Sequence, residues 1–341
     1  MSIYGSITSE TLANVGASWI QSNKDKFAWT KLPMCRVLGQ GNGHGSTVYS
    51  LAALDNFLEK AGGLSDWAYG AARRAPRDLS SASVTVTPLV QDIQPITRPM
   101  TSNANTEQVH SDLKGNILPG QLSMIYQGIE RRLATLLTDG TLGTSVAFTG
   151  TGVLDTYMTN TDHDPIGDIL AGIESNGLHW KAEADGTELV MFISPRVLYL
   201  LQRHPAFTGS GAASGVAQVT HPQDVYDQLM MKIPHVQKVV TLNAAADTVR
   251  AGQTSAPALI GRNVLAFQLC DPNMSRNLAS SPFDTPKGSV CYFEAEAPNV
   301  SVAEDADTKS VKFNGDVEYQ IGTPRGATHG IYFAGSEMFS P

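Results

Sequence analysis

"LPGQLSMIYQGIERRLATLLTDG", residues 118–140, contains the clearest element of the sequence. Its apolar residues recur at the three- and four-residue spacing of a single helix face: Leu122, Ile125, Tyr126, Ile129, Leu133, Leu136 and Leu137. This pattern predicts an amphipathic helix of about five turns, on the order of 30 Å long. Pro119 suits its first turn and Gly140 its end. We expect a sheet to lie against the apolar face, with Glu130 and Arg131 facing away and tolerating alanine.

Helices and strands alternate downstream of Thr161, which predicts an α/β unit. Asp164 and Pro165 are a cap and a first-turn residue for a helix that stops near Gly177. A turn is predicted at Asp185-Gly186. After it we predict the strand "ELVMFIS" (188–194) and a helix "RVLYLLQRH" (196–204) that is capped by Ser194-Pro195. A helix around "DVYDQLMMK" (224–232) and the strands "VQKVVTLNAA" (236–245) and "RNVLAFQLC" (262–270) follow. The C-terminal segment is β-rich, and Asn314-Gly315 predicts a hairpin turn within it.

Upstream of the long helix, a short helix is expected from Ser9 to Gln21, followed by "FAWTKLPMCRVL" (27–38) and a run with glycine at every second position from Gly39 to Gly45. The run fits neither phosphate-loop pattern, because it contains no Lys and its glycine spacing is wrong. We interpret it as a flexible connection between two strands. The excursion from Leu51 to Leu89 lacks periodicity and is too long for a common loop, which indicates a functional or partner-bound segment.

Composition argues against several classes of protein. The chain has 341 residues and a net charge of −8, whereas a dedicated nucleic-acid binder carries a basic face. It has no apolar window of about 18 residues and no visible signal peptide, so no membrane partner is expected. Three cysteines without metal or redox spacing indicate buried thiols in a reducing compartment. Charged residues make up 16%, below the usual quarter, which suggests that partners cover part of the surface.

Residues with catalytic or metal-binding potential are scattered. The most metal-like cluster is "TDHDP", where Asp162, His163 and Asp164 follow one another. Consecutive side chains in a turn point in different directions, and Asp164 is already needed as a helix cap, so we predict no metal site. The loop "GSGAASG" (209–215) does not match the G-x-S-x-G motif of a nucleophile. We therefore predict no catalytic residues and no cofactor, and a protein that is not an enzyme.

The order of these elements resembles that of the major capsid proteins of tailed bacteriophages, which share the Hong Kong 97-type capsid fold. The resemblance is carried by "DPIGDILAGIES" (164–175), "LVMFISPRVLYLLQRHPAF" (189–207), "VQKVVTLNAA", "IGRNVLAFQLCDPN" (260–273) and "GIYFAGSE" (330–337). In that family a helix opening on D-P-I precedes a strand, then a helix begun by "SP…V…L…HP", then a further strand. The resemblance covers most of the chain in element order, but the glycine run and "TGSGAASG" (208–215) have no counterpart in it.

The resemblance implies an α+β fold with five parts. Residues 1–50 would be an N-terminal arm, 51–88 the extended E-loop, 89–155 a peripheral domain with a long spine helix, 156–288 an α/β axial domain, and 289–341 strands that return to the peripheral domain. The E-loop would overlap a neighbouring subunit. It lacks a sustained apolar stripe but carries residue types that are enriched at interfaces. The predicted inter-subunit contact residues are Trp67, Tyr69, Arg73, Arg74 and Arg77.

By this resemblance the chain would build an icosahedral head shell that encloses phage DNA without reading its sequence. It would form hexamers and pentamers, assemble in the host cytoplasm and reside in the virion. The expected partners are further copies, a portal, a candidate decoration protein and, because the arm begins directly after Met1, a separate scaffolding protein. Two alternatives stay open: an encapsulin-type compartment of the same fold that encloses a cargo enzyme, and a metal-dependent hydrolase that uses Asp162, His163 and Asp164.

Overall fold

Two five-stranded sheets, a two-stranded sheet and a set of helices make up the described part of the chain. The computed structural model describes residues 9–37, 47–52, 81–86, 89–99, 117–150, 152–154, 163–204, 222–242, 263–277, 286–305, 310–324 and 326–338. The α-helices are α1 (Ser9–Asn23), α2 (Leu118–Leu136), α3 (Pro165–Ser175), α4 (Leu178–Asp185), α5 (Pro195–Arg203), α6 (Pro222–Lys232) and α7 (Gly335–Met338), with 3₁₀-helices at Lys24–Lys26, Trp29–Lys31 and Ala327–His329. None of the helices in these ranges combines the length and apolar character needed to cross a lipid bilayer.

The strands alternate with these helices along the chain. They are β1 (Met34–Arg36), β2 (Thr47–Ala52), β3 (Ser81–Val86), β4 (Leu89–Pro99), β5 (Thr144–Val146), β6 (Glu188–Ile193), β7 (Lys238–Thr241), β8 (Leu265–Cys270), β9 (Ser275–Asn277), β10 (Cys291–Asp305), β11 (Ser310–Gly322) and β12 (Gly330–Phe333). Both five-stranded sheets contain parallel and antiparallel pairs. The predicted α+β class is confirmed.

The first sheet has the strand order β4–β11–β10–β1–β9. Its longest pair is antiparallel, from Cys291 with Gly322 to Asp305 with Ser310. The short strand β1 is parallel to both of its neighbours, β10 and β9. The N-terminal part of the chain is therefore inserted between two strands from the C-terminal third.

The predicted hairpin turn at Asn314-Gly315 is wrong. Both residues lie inside β11 and pair with β10, and the chain reverses instead between Asp305 and Ser310. The register of β11 against β4 shifts between Phe313 and Gly315. The extra residue of this irregularity lies on β4, where Gln94 and Pro95 together oppose Asn314. Asn314 and Gly315 therefore continue a strand despite their turn preference, because β11 is paired on both sides.

The second sheet has the order β5–β12–β8–β6–β7 and is covered on both faces. Along β6, Leu189, Met191 and Ile193 belong to one buried cluster, while Val190 and Phe192 belong to another. A strand that is buried on both faces is apolar throughout rather than alternating. This explains the nearly unbroken apolar runs "ELVMFI" and "LAFQLC" in β6 and β8.

Helices α3, α4, α5 and α6 cover one face of the second sheet, and α2 lies on the other. The cluster on the first face takes residues from all four helices: Ile169, Ala182, Val197 and Leu229. The cluster on the second face joins Ile129 and Leu133 of α2 with Phe192 of β6. The same cluster includes Tyr292 and Tyr319 of the first sheet. Helix α2 therefore lies between the two sheets.

Helix α2 follows its predicted pattern. Every residue of the predicted stripe is buried. Pro119 lies in the first turn, the helix ends at Leu136, and Gly140 follows with a positive φ of 86°. The buried surface is wider than one stripe, however, because Gln121 and Glu130 are also fully buried.

The residues that precede α3 and α5 behave differently from each other. Asp164 caps α3 as predicted, and its Oδ1 accepts a hydrogen bond from the N–H of Gly167 at 3.0 Å. Ser194 precedes α5, but its side chain makes no cap hydrogen bond to that helix. The Ser194 hydroxyl instead accepts from the N–H of Val264 at 3.3 Å, which ties the start of α5 to the approach to β8.

Helix α4 is missing from the predictions, which place a helix stop at Gly177 and a turn at Asp185-Gly186. Both glycines have positive φ, 61° and 62°, so the backbone does change direction at these points. Between them the chain forms a helix whose buried side chains are Leu178, Ala182 and Asp185. Three buried positions are too few to establish a helical period in the sequence.

Strands β2 and β3 form a sheet of their own. They pair antiparallel from Thr47 with Val86 to Ala52 with Ser81, so Ala52 and Ser81, both within the predicted E-loop, are adjacent. Within the described ranges neither strand joins a five-stranded sheet. The glycine run and residues 53–80 lie outside the described residues.

Each five-stranded sheet takes strands from more than one of the predicted parts of the chain. Of the last predicted part, 289–341, strands β10 and β11 belong to the first sheet, whereas β12 belongs to the second. Strand β5, in the predicted part 89–155, also belongs to the second sheet. The second sheet is thus completed at one edge by strands from outside 156–288.

Truncating Leu133 tests the position of α2 between the sheets. Leu133→Ala should lower the free energy of unfolding by about 2 to 5 kcal/mol, because it removes fully buried methyl groups and leaves a cavity. Arg132→Ala, at the exposed neighbouring position, should change it by less than about 0.5 kcal/mol. Urea denaturation followed by circular dichroism measures both values, and equal losses would contradict the assigned helix orientation.

Candidate functional site: the N-terminal segment on helix α2

The side chain of Glu130 is fully buried on α2, at 0% exposure. Its two carboxylate oxygens accept hydrogen bonds from the backbone N–H groups of Ala28 and Trp29, each at 3.1 Å. The expectation that Glu130 faces away is therefore wrong, and the tolerance of alanine predicted from it loses its basis. The apolar stripe identifies only the side of α2 that faces the sheets, and the N-terminal segment covers a second side, where it buries Glu130.

This carboxylate lies where two backbone N–H groups lack a hydrogen-bond acceptor in their own helical turn. The first N–H groups of a helical turn have no partner within the helix, and Trp29–Lys31 is such a turn. Ala28 and Trp29 are themselves buried, so solvent does not satisfy their N–H groups. A carboxylate accepts both hydrogen bonds and is favoured by the partial positive charge of a helix start. Glu130 thus acts as an N-terminal cap supplied from 102 residues away.

Aromatic rings extend this contact into a common core. Trp29 donates a hydrogen bond from Nε1 to the carbonyl oxygen of Tyr126 at 3.1 Å, and the two ring centroids are 4.8 Å apart. The Tyr126 ring also lies 5.3 Å from the rings of Trp19 and Phe27. Trp29 in turn meets Tyr292 of β10 at 4.9 Å. Tilted and edge-to-face pairs stabilise beyond their buried area, so α1, the 3₁₀ turn, α2 and the first sheet form one packed unit.

Burial keeps the phenols of this core uncharged. Desolvation, assisted by the charge of Glu294, raises the pKa of Tyr126 to about 12. Burial raises the pKa of Tyr319 to about 12 and also raises that of Tyr292. Desolvation raises the pKa of Glu294 as well, and the Arg36 guanidinium 3.4 Å away opposes that shift. Phenols of this kind do not exchange protons near neutral pH, so their contribution here is packing and orientation.

The metal-like sequence cluster is only partly described. Asp162 lies outside the described residues, and Asp164 caps α3. His163 is half-buried, with its Nε2 2.8 Å from the position that a Cβ atom would occupy on Gly150, whose φ is 117°. Among the described residues, no three His, Cys, Asp or Glu side chains are placed to hold a metal ion together. The expectations of no metal, no cofactor and no catalytic residue remain predictions.

A buried imidazole, His204, lies next to this cluster at the end of α5. It is 1% exposed. Burial lowers its pKa, and neighbouring His163 lowers it further, while the charge of Asp164 and a hydrogen bond with the backbone of Val153 act in the opposite direction. His204 is therefore neutral at neutral pH, and it links the end of α5 to the start of α3 and to residues 152–154.

The sequence predictions and the structure identify different contact residues. The predicted E-loop residues lie outside the described part of the chain and stay predictions: Trp67, Tyr69, Arg73, Arg74 and Arg77. Glu130 and Trp29 were not among the predicted contact residues. The aromatic residues of "FAWT" indicate a buried segment, but no local signal connects that segment to a carboxylate about a hundred residues away.

Comparisons with known proteins relate the chain to solved structures. No family model matches the sequence, and no curated protein matches it. A phage-related protein from Bordetella bronchiseptica RB50 aligns with a TM-score of 0.56 at 13% identity, over 97% of this chain and 97% of that chain. The mature capsid of bacteriophage PhiM1 gives 0.49 at 10% identity, over 90% and 86%. A virus-like particle from Pyrococcus furiosus gives 0.49 at 10% identity, over 95% and 98%.

The alignment with the phage-related protein defines a class of fold. At 13% identity the likeness to the phage-related protein shows the fold alone, but it does so over nearly the full length of both chains. The Hong Kong 97-type fold predicted from the order of elements is confirmed.

Replacing Glu130 tests how firmly the N-terminal segment is held. Glu130→Ala should lower the free energy of unfolding by about 1 to 3 kcal/mol for each buried N–H left without an acceptor. Glu130→Gln keeps one acceptor oxygen and should lie between the wild type and the alanine variant. Urea denaturation measures the series, with Glu174→Ala at an exposed helical position as the matched control. An alanine variant as stable as the wild type would show that these hydrogen bonds do not hold the segment.

His204 gives the stability a pH dependence of defined sign. Its folded-state pKa lies below the unfolded value of 6.5, so the unfolded chain binds more protons as the pH falls. The contribution of neutral His204 is fully present above pH 6.5 and is lost as the pH falls through the folded-state pKa. His204→Gln cannot protonate and should lose less stability than the wild type between pH 7 and pH 5. Thermal melts across this range measure the difference, and identical slopes for both proteins would refute it.

Proposed function

We propose that this chain is the major capsid protein of a tailed bacteriophage, many copies of which assemble into the icosahedral head shell around the genome. The observation that carries the proposal is the likeness to a phage-related protein over 97% of both chains. The element order read from the sequence supports the same assignment.

The separate β2–β3 pair supports the proposal on physical grounds. An isolated two-stranded hairpin is at best marginally stable in water, and these strands pair with no other strand in the described ranges. The long segment between them is poor in core residues and rich in residue types that form interfaces. In a shell, the surface of an adjacent copy would cover both the pair and this segment, as the E-loop assignment requires.

The N-terminal segment that packs on α2 limits how much of the predicted arm, 1–50, would contact other subunits. Residues from Trp19 to Cys35 contribute side chains to buried clusters of the subunit itself. Only the remainder of the arm would be available to contact neighbours. The Glu130 contact would then fix the point from which the arm leaves the subunit.

The same proposal assigns domains and partners. The first sheet with α2 would be the peripheral domain, and the second sheet with α3 to α6 the axial domain near the centre of hexamers and pentamers. Further partners would be a separate scaffolding protein, a portal and a candidate decoration protein. The net charge of −8 suits a shell that holds DNA without binding it tightly. The protein would assemble in the host cytoplasm and remain in the virion.

Electron microscopy of the purified protein tests this function. The protein is expressed alone and together with the scaffolding candidate from its own genome, and particles are sized and their contents digested with nuclease and protease. Closed particles of uniform size that package nucleic acid in infected cells are expected. Particles that enclose a protein cargo would identify an encapsulin-type compartment instead, and a small oligomer under every condition would overturn the proposal.

Deleting part of the predicted E-loop tests the mode of assembly. Replacement of Gly62 to Arg77 by a short Gly/Ser linker should leave a soluble subunit with wild-type helix content that does not close into shells, because the overlap between neighbouring capsomers is lost. Charge reversal at Arg73 and Arg74 should weaken assembly in the same direction, most strongly at low salt, where repulsion is least screened. Circular dichroism and microscopy measure the two properties. Particles of normal size from the deletion variant would contradict the E-loop assignment.

A further inference from the structure

A cavity of about 350 Å³ lies in the helical layer of the second sheet. It is formed by α4, the turn between α4 and β6, and the segment between α6 and β7, and its lining includes His179, Glu183, Thr187, Pro234 and His235. The rings of His179 and His235 stack with centroids 4.8 Å apart. The volume and the mixture of flat rings with polar groups are typical of a binding site.

Two polar atoms of the cavity have no hydrogen-bond partner within the described part of the chain: Oγ1 of Thr187 and Nδ1 of His179. The Thr187 residue is only 6% exposed, so bulk water does not readily compensate its hydroxyl. Buried polar atoms in proteins are nearly always paired, and an unpaired one is costly. Both atoms are covered by the residues around them, so an occupant of the cavity would contact the rings and the carboxylate of the lining instead.

The cavity favours a cationic, planar occupant. Trp180, next to the lining residue His179, is 67% exposed, and the centroid of its ring lies 5.0 Å from that of the His179 ring. Glu183 adds a carboxylate to the lining. Aromatic faces beside a carboxylate match the guanidinium group of arginine, which stacks on rings and forms ion pairs with directed hydrogen bonds.

The chain itself carries such a group on α5. The guanidinium of Arg203 lies over the ring of Tyr199, 5.2 Å from its centroid, and donates a hydrogen bond to the Tyr199 hydroxyl at 2.6 Å. Tyr199 is 54% exposed. The two side chains thus hold each other in a fixed orientation at the surface. Tyrosine and arginine, together with tryptophan, are the residue types that dominate binding energy at interfaces.

The Tyr199–Arg203 pair cannot reach the cavity of its own copy. Arg203 precedes His204, which lies beside His163 and Asp164 at the start of α3. His179 lies beyond the other end of that helix, and the eleven residues of α3 span about 16 Å. The projecting pair and the cavity are therefore separate surfaces of one unit, and only a second copy can bring them together.

We propose that adjacent copies of this chain bind head-to-tail, with Tyr199 and Arg203 of one copy seated in the cavity between Trp180 and Glu183 of the next. The inference rests on the proposed function, because a shell requires its copies to associate. Contact between two different surfaces of the same protein generates rings when the rotation closes. Arg203 would pair with Glu183, and Trp180 would cover the ion pair and exclude water from it.

A charge swap tests this contact. Glu183→Lys and Arg203→Glu should each weaken ring formation at least tenfold, because each places like charges together, and the double variant should recover most of the loss. Both positions are exposed, so folding should be retained, which circular dichroism and thermal melts verify. Glu174→Lys and Lys232→Glu, at exposed positions of the same helical layer, serve as matched controls and should leave ring formation unchanged. Sedimentation velocity measures rings, and electron microscopy measures shells.

The outcomes separate this inference from the proposed function. Rings that respond to the swap without closing into shells would support the contact and count against the capsid function. Shells that form equally well from both single variants would refute the contact and leave the capsid function intact. Loss of rings in Glu183→Lys without recovery in the double variant would also refute it, because another group would then occupy the cavity. A wild-type protein that never self-associates would overturn both.

Discussion

The burial of α2 between the two five-stranded sheets is the constraint on which the rest of the structure depends. Its stripe residues share one cluster with β6 of the second sheet and with Tyr292 and Tyr319 of the first. A helix between two sheets has little surface left for solvent, and the N-terminal segment covers a further side. Glu130 lies on that side, and its carboxylate is retained there because it pairs two backbone N–H groups that would otherwise be buried without partners.

A buried ionic network connects the same two sheets away from α2. Asp271, 2% exposed, follows β8 of the second sheet and pairs with Arg276 of β9 in the first sheet at 2.9 Å. Its carboxylate also accepts from the N–H groups of Asn273 and Lys287, and the Lys287 ammonium donates to the backbone carbonyl of Asp185 at the end of α4. Desolvation of such charges is costly unless every group is hydrogen-bonded. Apolar packing by α2 brings the sheets together, and this directional network fixes their relative orientation.

The sequence predicts an element correctly where a local pattern determines its structure. The prediction fails where contacts with a distant part of the chain determine it. The stripe of α2 and the cap at Asp164 are local patterns, and both are present in the structure. Glu130 breaks the expected polar face because residues about a hundred positions away cover it. Asn314-Gly315 carries the chemistry of a turn, but the pairing of β11 with both β10 and β4 keeps it inside that strand. The candidate site, formed by such long-range contacts, was therefore missed although most of the fold was predicted.

The two proposed contacts between copies would differ in stiffness. Helices α4 and α5 pack on a sheet that is buried on both faces, and close-packed interiors of this kind resist deformation. A contact within a ring that is made by these helices would keep nearly the same geometry in pentamers and in hexamers. The β2–β3 pair is a two-stranded ribbon, which twists more readily than a wide sheet. A closed shell built from a single kind of chain needs both properties, because subunits in pentamers and hexamers meet their neighbours at different angles. Rigid contacts within a ring combined with a deformable contact between rings would accommodate that difference without refolding the subunit.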